Sequence, residues 1–156
     1  MRMIAVLLAA ALSTCALAAP DAGKLPAIVR TGFATYKADG AQAAVTAWMA
    51  GSPIALGEQP QRGVRALVRF EEMFGAYQDF HVVRIVTISP TTQMVYLQLD
   101  YQKGPAFGKF LVYQAKDAYN QAKDTYNIVS LGFGADPEAV WNCSLFGTTQ
   151  LTGSAD

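Results

Sequence analysis

Residues 93–113 have the sequence QMVYLQLDYQKGPAFGKFLVY, and this stretch decides the fold. On both sides of the turn Lys103-Gly104-Pro105, apolar side chains alternate with other residues, which is the period of a β-strand. We therefore predict one strand over 93–101 and another over 107–113. The connection between them is too short for a parallel crossover, so the two strands must be antiparallel.

The same period continues on both sides of this hairpin. Residues 80–89 form another run that is rich in β-branched and aromatic side chains, and Pro90-Thr91 provides the turn into the strand at 93–101. Residues 127–133 predict a fourth strand. Four consecutive strands of this kind predict an antiparallel meander.

The strand over 93–101 has two different faces, because successive side chains point to opposite sides of a sheet. One face carries only apolar and aromatic side chains, whereas the other is more polar. We predict that the first face lies against the core, and it carries Val95, Leu97, Leu99 and Tyr101. The outer face carries Met94, Tyr96, Gln98 and Asp100.

Before the strands, apolar residues recur at spacings of three and four, which predicts helices. The first helix is expected over 25–38. Asp39, an N-cap residue followed three positions later by Gln42, begins the second helix, which ends before Gly51. A third is expected over 60–75. Helices at one end of the chain and strands at the other predict an α+β domain, with three N-terminal helices packed on one face of an antiparallel sheet.

The chain has 156 residues, of which 52% are hydrophobic and only 15% are charged. Much of the apolar excess lies in residues 1–18, where Arg2, an apolar stretch and Ala16-Leu17-Ala18 are typical of a cleaved secretory signal. We therefore predict a secreted protein of the bacterial periplasm. In the alternative interpretation, Leu12-Ser13-Thr14-Cys15 is a lipobox, and Cys15 carries a lipid anchor.

The chain after residue 18 has a balanced composition. It contains 11 basic and 12 acidic residues, so it lacks the basic footprint of a protein that binds nucleic acid. No later apolar run is long enough to cross a bilayer, and we therefore expect no transmembrane segment in the mature chain. We predict one domain over 19–146 and a flexible polar tail over 147–156.

A tandem duplication lies between the last two predicted strands. Residues 114–120, QAKDAYN, are followed at once by 121–127, QAKDTYN, which match them at six of seven positions. Two copies of a heptad cannot sustain a coiled coil, and both neighbouring segments are predicted strands. We therefore expect the duplicated heptapeptide, 114–127, to lie in a hairpin loop.

The segment over 32–48, GFATYKADGAQAAVTAW, resembles the opening of the nuclear transport factor 2-like superfamily, in which a first helix ends at an acidic-Gly step. The later order of elements is similar to that of small secreted, uncharacterised bacterial members. The resemblance implies a cystatin-like cone, in which helices close a strongly curved sheet over an apolar pocket. Because members include enzymes such as ketosteroid isomerase, ligand-binding proteins and dimeric modules, the fold alone does not give the function.

An isomerase or dehydratase site requires a base with a tuned pKa in the pocket and a proton donor opposite it. His81 is the only histidine, and Asp79 would share its face of a strand, so these two residues are the catalytic candidates. A polar pair at the entrance of a strand is the interpretation we favour. The sequence has no cluster of metal-ligating residues and no glycine-rich loop after a strand, so we predict neither a metal nor a phosphate-containing cofactor.

A row of arginines follows one side of the third predicted helix. Arg62, Arg65 and Arg69 are spaced by three and four residues, and Glu58 and Glu72 lie near them. The pattern is typical of a solvated helix face with local ion pairs. An anion-binding or partner-binding site is the alternative that the sequence leaves open.

The chain is rich in aromatic residues, with 8 Phe, 7 Tyr and 2 Trp. Core packing would account for them, but an apolar ligand pocket would use the same residues. The candidate lining residues are Trp48, Phe70, Phe74 and Leu99. Aromatic side chains on the outer face, such as Tyr96, would equally suit the surface of a homodimer through the sheet. We predict a secreted module without cofactor that binds a small apolar ligand or a periplasmic protein; the alternative is a small isomerase or dehydratase that uses His81 with Asp79.

Overall fold

The alternating stretch at 93–113 forms the middle of a four-stranded antiparallel sheet in the computed structural model, which describes residues 25–55, 57–115 and 126–140. The predicted meander is confirmed, since the strands pair in chain order. They are β1 (Tyr77–Ser89), β2 (Thr92–Tyr101), β3 (Gly104–Gln114) and β4 (Tyr126–Gly134).

Several predictions concern residues outside the described ranges. They are the secretory signal over 1–18, the lipid anchor at Cys15, the tail over 147–156 and most of the duplicated heptapeptide. Among the residues that the structure describes, no helix combines the length and the apolar character needed to cross a membrane. The chain after β4 contributes one further helical turn, α3 (Pro137–Val140).

The inner face of the sheet is the predicted face of β2. Val95, Leu97 and Leu99 are fully buried, and Tyr101 is nearly so. The register places Leu99 opposite Phe80 on one side and Ala106 on the other. Because register in a sheet fixes which side chains share a face, both partners of Leu99 also lie on the face that is directed toward the helices.

The structure has two long helices before the sheet rather than the three that we predicted, and they are α1 (Ala27–Met49) and α2 (Gln59–Phe74). The first two predicted helices are parts of α1, which is interrupted only at Gly40, where φ is 83° and ψ is −177°. A straight helix would separate Val29 from Trp48 by about 28 Å. In fact the Trp48 indole Nε1 donates a hydrogen bond to the Val29 carbonyl at 3.2 Å, so α1 turns back on itself at Gly40.

The core lies between the two arms of α1, the helix α2 and the inner face of the sheet. Trp48 is at its centre, with ring centroids 4.9 Å from Phe33 and 5.0 Å from Phe110, both in edge-to-face geometry. Leu67 of α2 is also fully buried. Large side chains therefore fill the space between helices and sheet.

Candidate functional site

A groove lies on the described surface between α2 and β4. At Gly63 the helix lies close to β4, since a Cβ atom there would be 3.0 Å from Leu131 Cδ1. Farther along α2, the helix and the strand leave a groove of about 550 Å³ between them. Its lining residues are Arg65, Ala66, Arg69, Phe70, Met73, Phe133, Gly134 and Ala135. We call it the α2–β4 groove.

A smaller groove of about 220 Å³ continues toward the N-terminal end of α2, and Ala66 and Phe133 belong to both. Gln59 lines this smaller part, and its side-chain oxygen Oε1 is buried with no hydrogen-bond partner among the residues that the structure describes. A buried acceptor without a donor is unfavourable, by about 1–3 kcal/mol. The two grooves together follow most of the length of α2.

The arginine row divides into two parts in the structure. Arg62 forms the ion pair with Glu58 that the sequence suggested, at 3.1 Å. Both side chains are exposed, so the pair adds little to stability. Arg62 also lines the smaller groove, whereas Arg65 and Arg69 line the α2–β4 groove, and neither of these two makes an ion pair with another residue of the described ranges. Two cationic groups thus lie beside an apolar wall.

The structure does not bring the four predicted pocket residues together around one cavity. Trp48 and Leu99 are fully buried in the core, where other side chains surround them. Phe74 is half-buried, and its ring lies 3.3 Å from the position of a Cβ on Gly104. Phe70 alone of the four lines the α2–β4 groove.

The two catalytic candidates, His81 and Asp79, have different partners in the structure. His81 Nε2 lies 2.8 Å from Asp100 Oδ2, across the β1–β2 pairing, while Asp79 Oδ1 accepts a hydrogen bond from the Phe80 N–H at 2.9 Å. Gln98 Nε2 donates to the other oxygen of Asp100, at 2.8 Å. The His81 side chain is 64% exposed and is not part of the groove. These contacts form a solvated polar cluster on the outer face.

Sequence patterns did not indicate a second polar cluster, which is buried. The hydroxyl groups of Tyr36 and Tyr101 lie 3.1 Å apart, and the rings of Tyr36 and Tyr77 stack at 4.4 Å. Burial raises the pKa of Tyr101 to about 12. Burial also raises the pKa of Tyr36, with the Tyr101 hydroxyl and the Glu71 carboxylate acting in the same direction, and it raises the pKa of Tyr77. All three phenols therefore stay neutral at physiological pH.

The outer face of the sheet bears on the predicted homodimer. Tyr96 lies on this face, as predicted, opposite Arg84 and Lys109. Its side chain is only 3% exposed within the single chain, and Phe107 on the same face is buried as well. The homodimer remains a prediction, but Tyr96 is not a surface residue that a second copy can cover.

Comparison with known proteins assigns no relative. The chain matches no family model, no curated protein and no solved structure. The groove and the chemistry of its residues are therefore the basis for assigning a function.

Proposed function

We propose that this chain is a secreted, non-enzymatic binding module of the nuclear transport factor 2-like superfamily, and that its ligand is a small molecule with a large apolar part. The observation that carries the proposal is the α2–β4 groove, with Phe70, Met73 and Phe133 on its walls. Its volume of about 550 Å³ is within the usual range for small-molecule sites. Secretion and a cone-like curvature of the sheet belong to the same proposal.

The chemistry of the groove favours binding over catalysis. Among the described residues that line it, none carries a carboxylate, an imidazole, a thiol or a hydroxyl group. General acid–base catalysis requires such a group within hydrogen-bond reach of the substrate. Met73, which is 49% exposed, instead offers a flexible apolar surface that adapts to different shapes.

The test is the binding of N-phenyl-1-naphthylamine, a neutral apolar probe whose fluorescence increases in apolar surroundings. Ala66 belongs to both grooves, so Ala66→Phe should fill the space and weaken probe binding by about tenfold, or about 1.4 kcal/mol. Ala34 is exposed on α1, so Ala34→Phe is the matched control, and it should bind the probe like the wild type.

A second variant is needed because Ala66 also packs against the core, so that Ala66→Phe could disturb folding. Met73→Asn removes an apolar side chain at an exposed position and should weaken probe binding several-fold, by the loss of roughly 1 kcal/mol of apolar contact. Circular dichroism checks that each variant is folded. If the wild-type chain does not bind the probe, or if folded Ala66→Phe and Met73→Asn bind it unchanged, the proposed function is wrong.

A further inference from the structure

We infer that the ligand of the α2–β4 groove carries an anionic head group, of the kind found on a fatty-acid carboxylate, and that Arg65 and Arg69 bind this group. The inference rests on the proposed function and adds the chemical class of the ligand. It starts from the two arginines, which are four residues apart on α2 and both line the groove. Residues at this spacing lie on the same side of a helix, so their guanidinium groups can reach one ligand.

The charges of these arginines are not balanced within the described part of the chain. Arg62 has its carboxylate, Glu58, at 3.1 Å, but no described carboxylate forms an ion pair with Arg65 or Arg69. The nearby Asp136 uses Oδ1 to accept a hydrogen bond from the Glu138 N–H, at 2.8 Å. Arginine is well suited to carboxylates, because its planar donors match the two oxygens.

The apolar residues of the groove indicate the chemistry of the part of the ligand beyond its head group. Phe70 and Phe133 line the same groove as the two arginines. Met73, which comes after Phe70 on α2, lines it as well. A molecule that satisfies both kinds of surface has a charged head and an apolar tail. A free inorganic anion would leave the aromatic wall uncovered, and a hydrocarbon without a head group would leave the arginines unused.

The test compares three amphiphiles with the same tail, namely dodecanoate, dodecanol and dodecyltrimethylammonium. Each is used to displace N-phenyl-1-naphthylamine from the full chain at about pH 8, where a carboxylate is ionised. We expect dodecanoate to bind about tenfold more tightly than dodecanol, and the cationic amphiphile to bind most weakly. Added salt should reduce the preference for dodecanoate, since the arginines are exposed.

The variants Arg65→Gln and Arg69→Gln should each weaken dodecanoate binding by about threefold and leave dodecanol binding unchanged. Lys37→Gln removes the same charge from an exposed position on α1, and it should change neither affinity. A loss of both ligands in the arginine variants would indicate a structural role and would overturn the inference.

The outcomes separate this inference from the proposed function. If dodecanol displaces the probe as well as dodecanoate does, the anionic head group is wrong and the binding function stands. If the probe binds but no amphiphile displaces it, the inference also fails. If Ala66→Phe converts a dimer into a monomer, a second copy of the chain occupies the groove, and both proposals are wrong.

Discussion

Gly32 is the residue on which the helical packing depends most directly. The sequence places it on the apolar stripe of the first helix, where a glycine would merely lower helix propensity. In the structure, the Trp48 indole occupies the space beside it, and a Cβ atom at position 32 would lie 1.8 Å from Nε1. Trp48 is held in place by its hydrogen bond to Val29 and by the ring of Phe110, so it has no free space to move into.

Replacement of Gly32 by alanine should therefore destabilise the protein by about 3 kcal/mol, because the extra methyl group overpacks a filled core. The measurement is the urea midpoint of unfolding, followed by tryptophan fluorescence. Gly132→Ala is the matched control, since a Cβ there meets no atom within 4 Å, and it should shift the free energy of unfolding by less than about 0.5 kcal/mol. Equal midpoints for the two variants would show that Trp48 can move aside.

Among the elements, α1 owes its shape to a single backbone conformation. Gly40 has φ 83° and ψ −177°, a region that only glycine occupies without strain. Nothing lies within 4 Å of a Cβ built on it, so a loss of stability on substitution would come from the backbone and not from crowding. We expect Gly40→Ala to cost about 1–3 kcal/mol.

Thermal and urea unfolding of Gly40→Ala would measure this cost. Gly57→Ala is the control, because its Cβ would make only an ordinary contact, at 3.5 Å from the Ile54 carbonyl oxygen, and its φ is not positive. If both variants lose the same amount of free energy, the reversal of α1 does not depend on the left-handed conformation at Gly40.

The elements also show how far the sequence predicts the structure. The strands were predictable because alternation is a local signal, and the β2 face with Val95, Leu97 and Leu99 follows from it directly. The partner of His81 was not predictable in this way. Asp79 shares the face of His81 on β1, but the carboxylate that contacts the imidazole is that of Asp100 on β2, at 2.8 Å. Cross-strand neighbours depend on register and on the bulges that interrupt β1.

At the scale of the whole molecule, the groove could not be predicted from the sequence. Its two sides, α2 and β4, are separated by three strands in the chain, so the gap between them depends on how the helix is placed on the sheet. The sequence identified Phe70 and the arginine row, but not Phe133 or the separation of Arg62 from Arg65 and Arg69. Gly63 was a weak local signal, since a glycine inside a helical pattern can have a packing reason, and a Cβ atom there would lie 3.0 Å from Leu131 Cδ1 of β4.

The three clustered tyrosines connect three elements, because Tyr36 is on α1, Tyr77 on β1 and Tyr101 on β2. The pKa of all three is raised above the ordinary value of 10.0. Below about pH 10 the phenols are neutral in both the folded and the unfolded chain, so their contribution to stability is fully present. Above it, the unfolded chain loses these protons while the folded chain retains them.

The free energy of unfolding should therefore be constant from about pH 7 to 9 and then fall, by up to about 1.4 kcal/mol per pH unit for each of the three tyrosines. For Tyr101 the loss should be complete near pH 12, its pKa in the folded protein. Urea unfolding at a series of pH values measures the slope, and absorbance at about 295 nm follows phenol ionisation.

Tyr101→Phe should make the fall shallower, whereas Tyr113→Phe, at a position 41% exposed, should leave it unchanged. If Tyr101→Phe and Tyr113→Phe have the same alkaline slope as the wild type, the loss of stability comes from other groups, and the tyrosine cluster does not link the fold to pH.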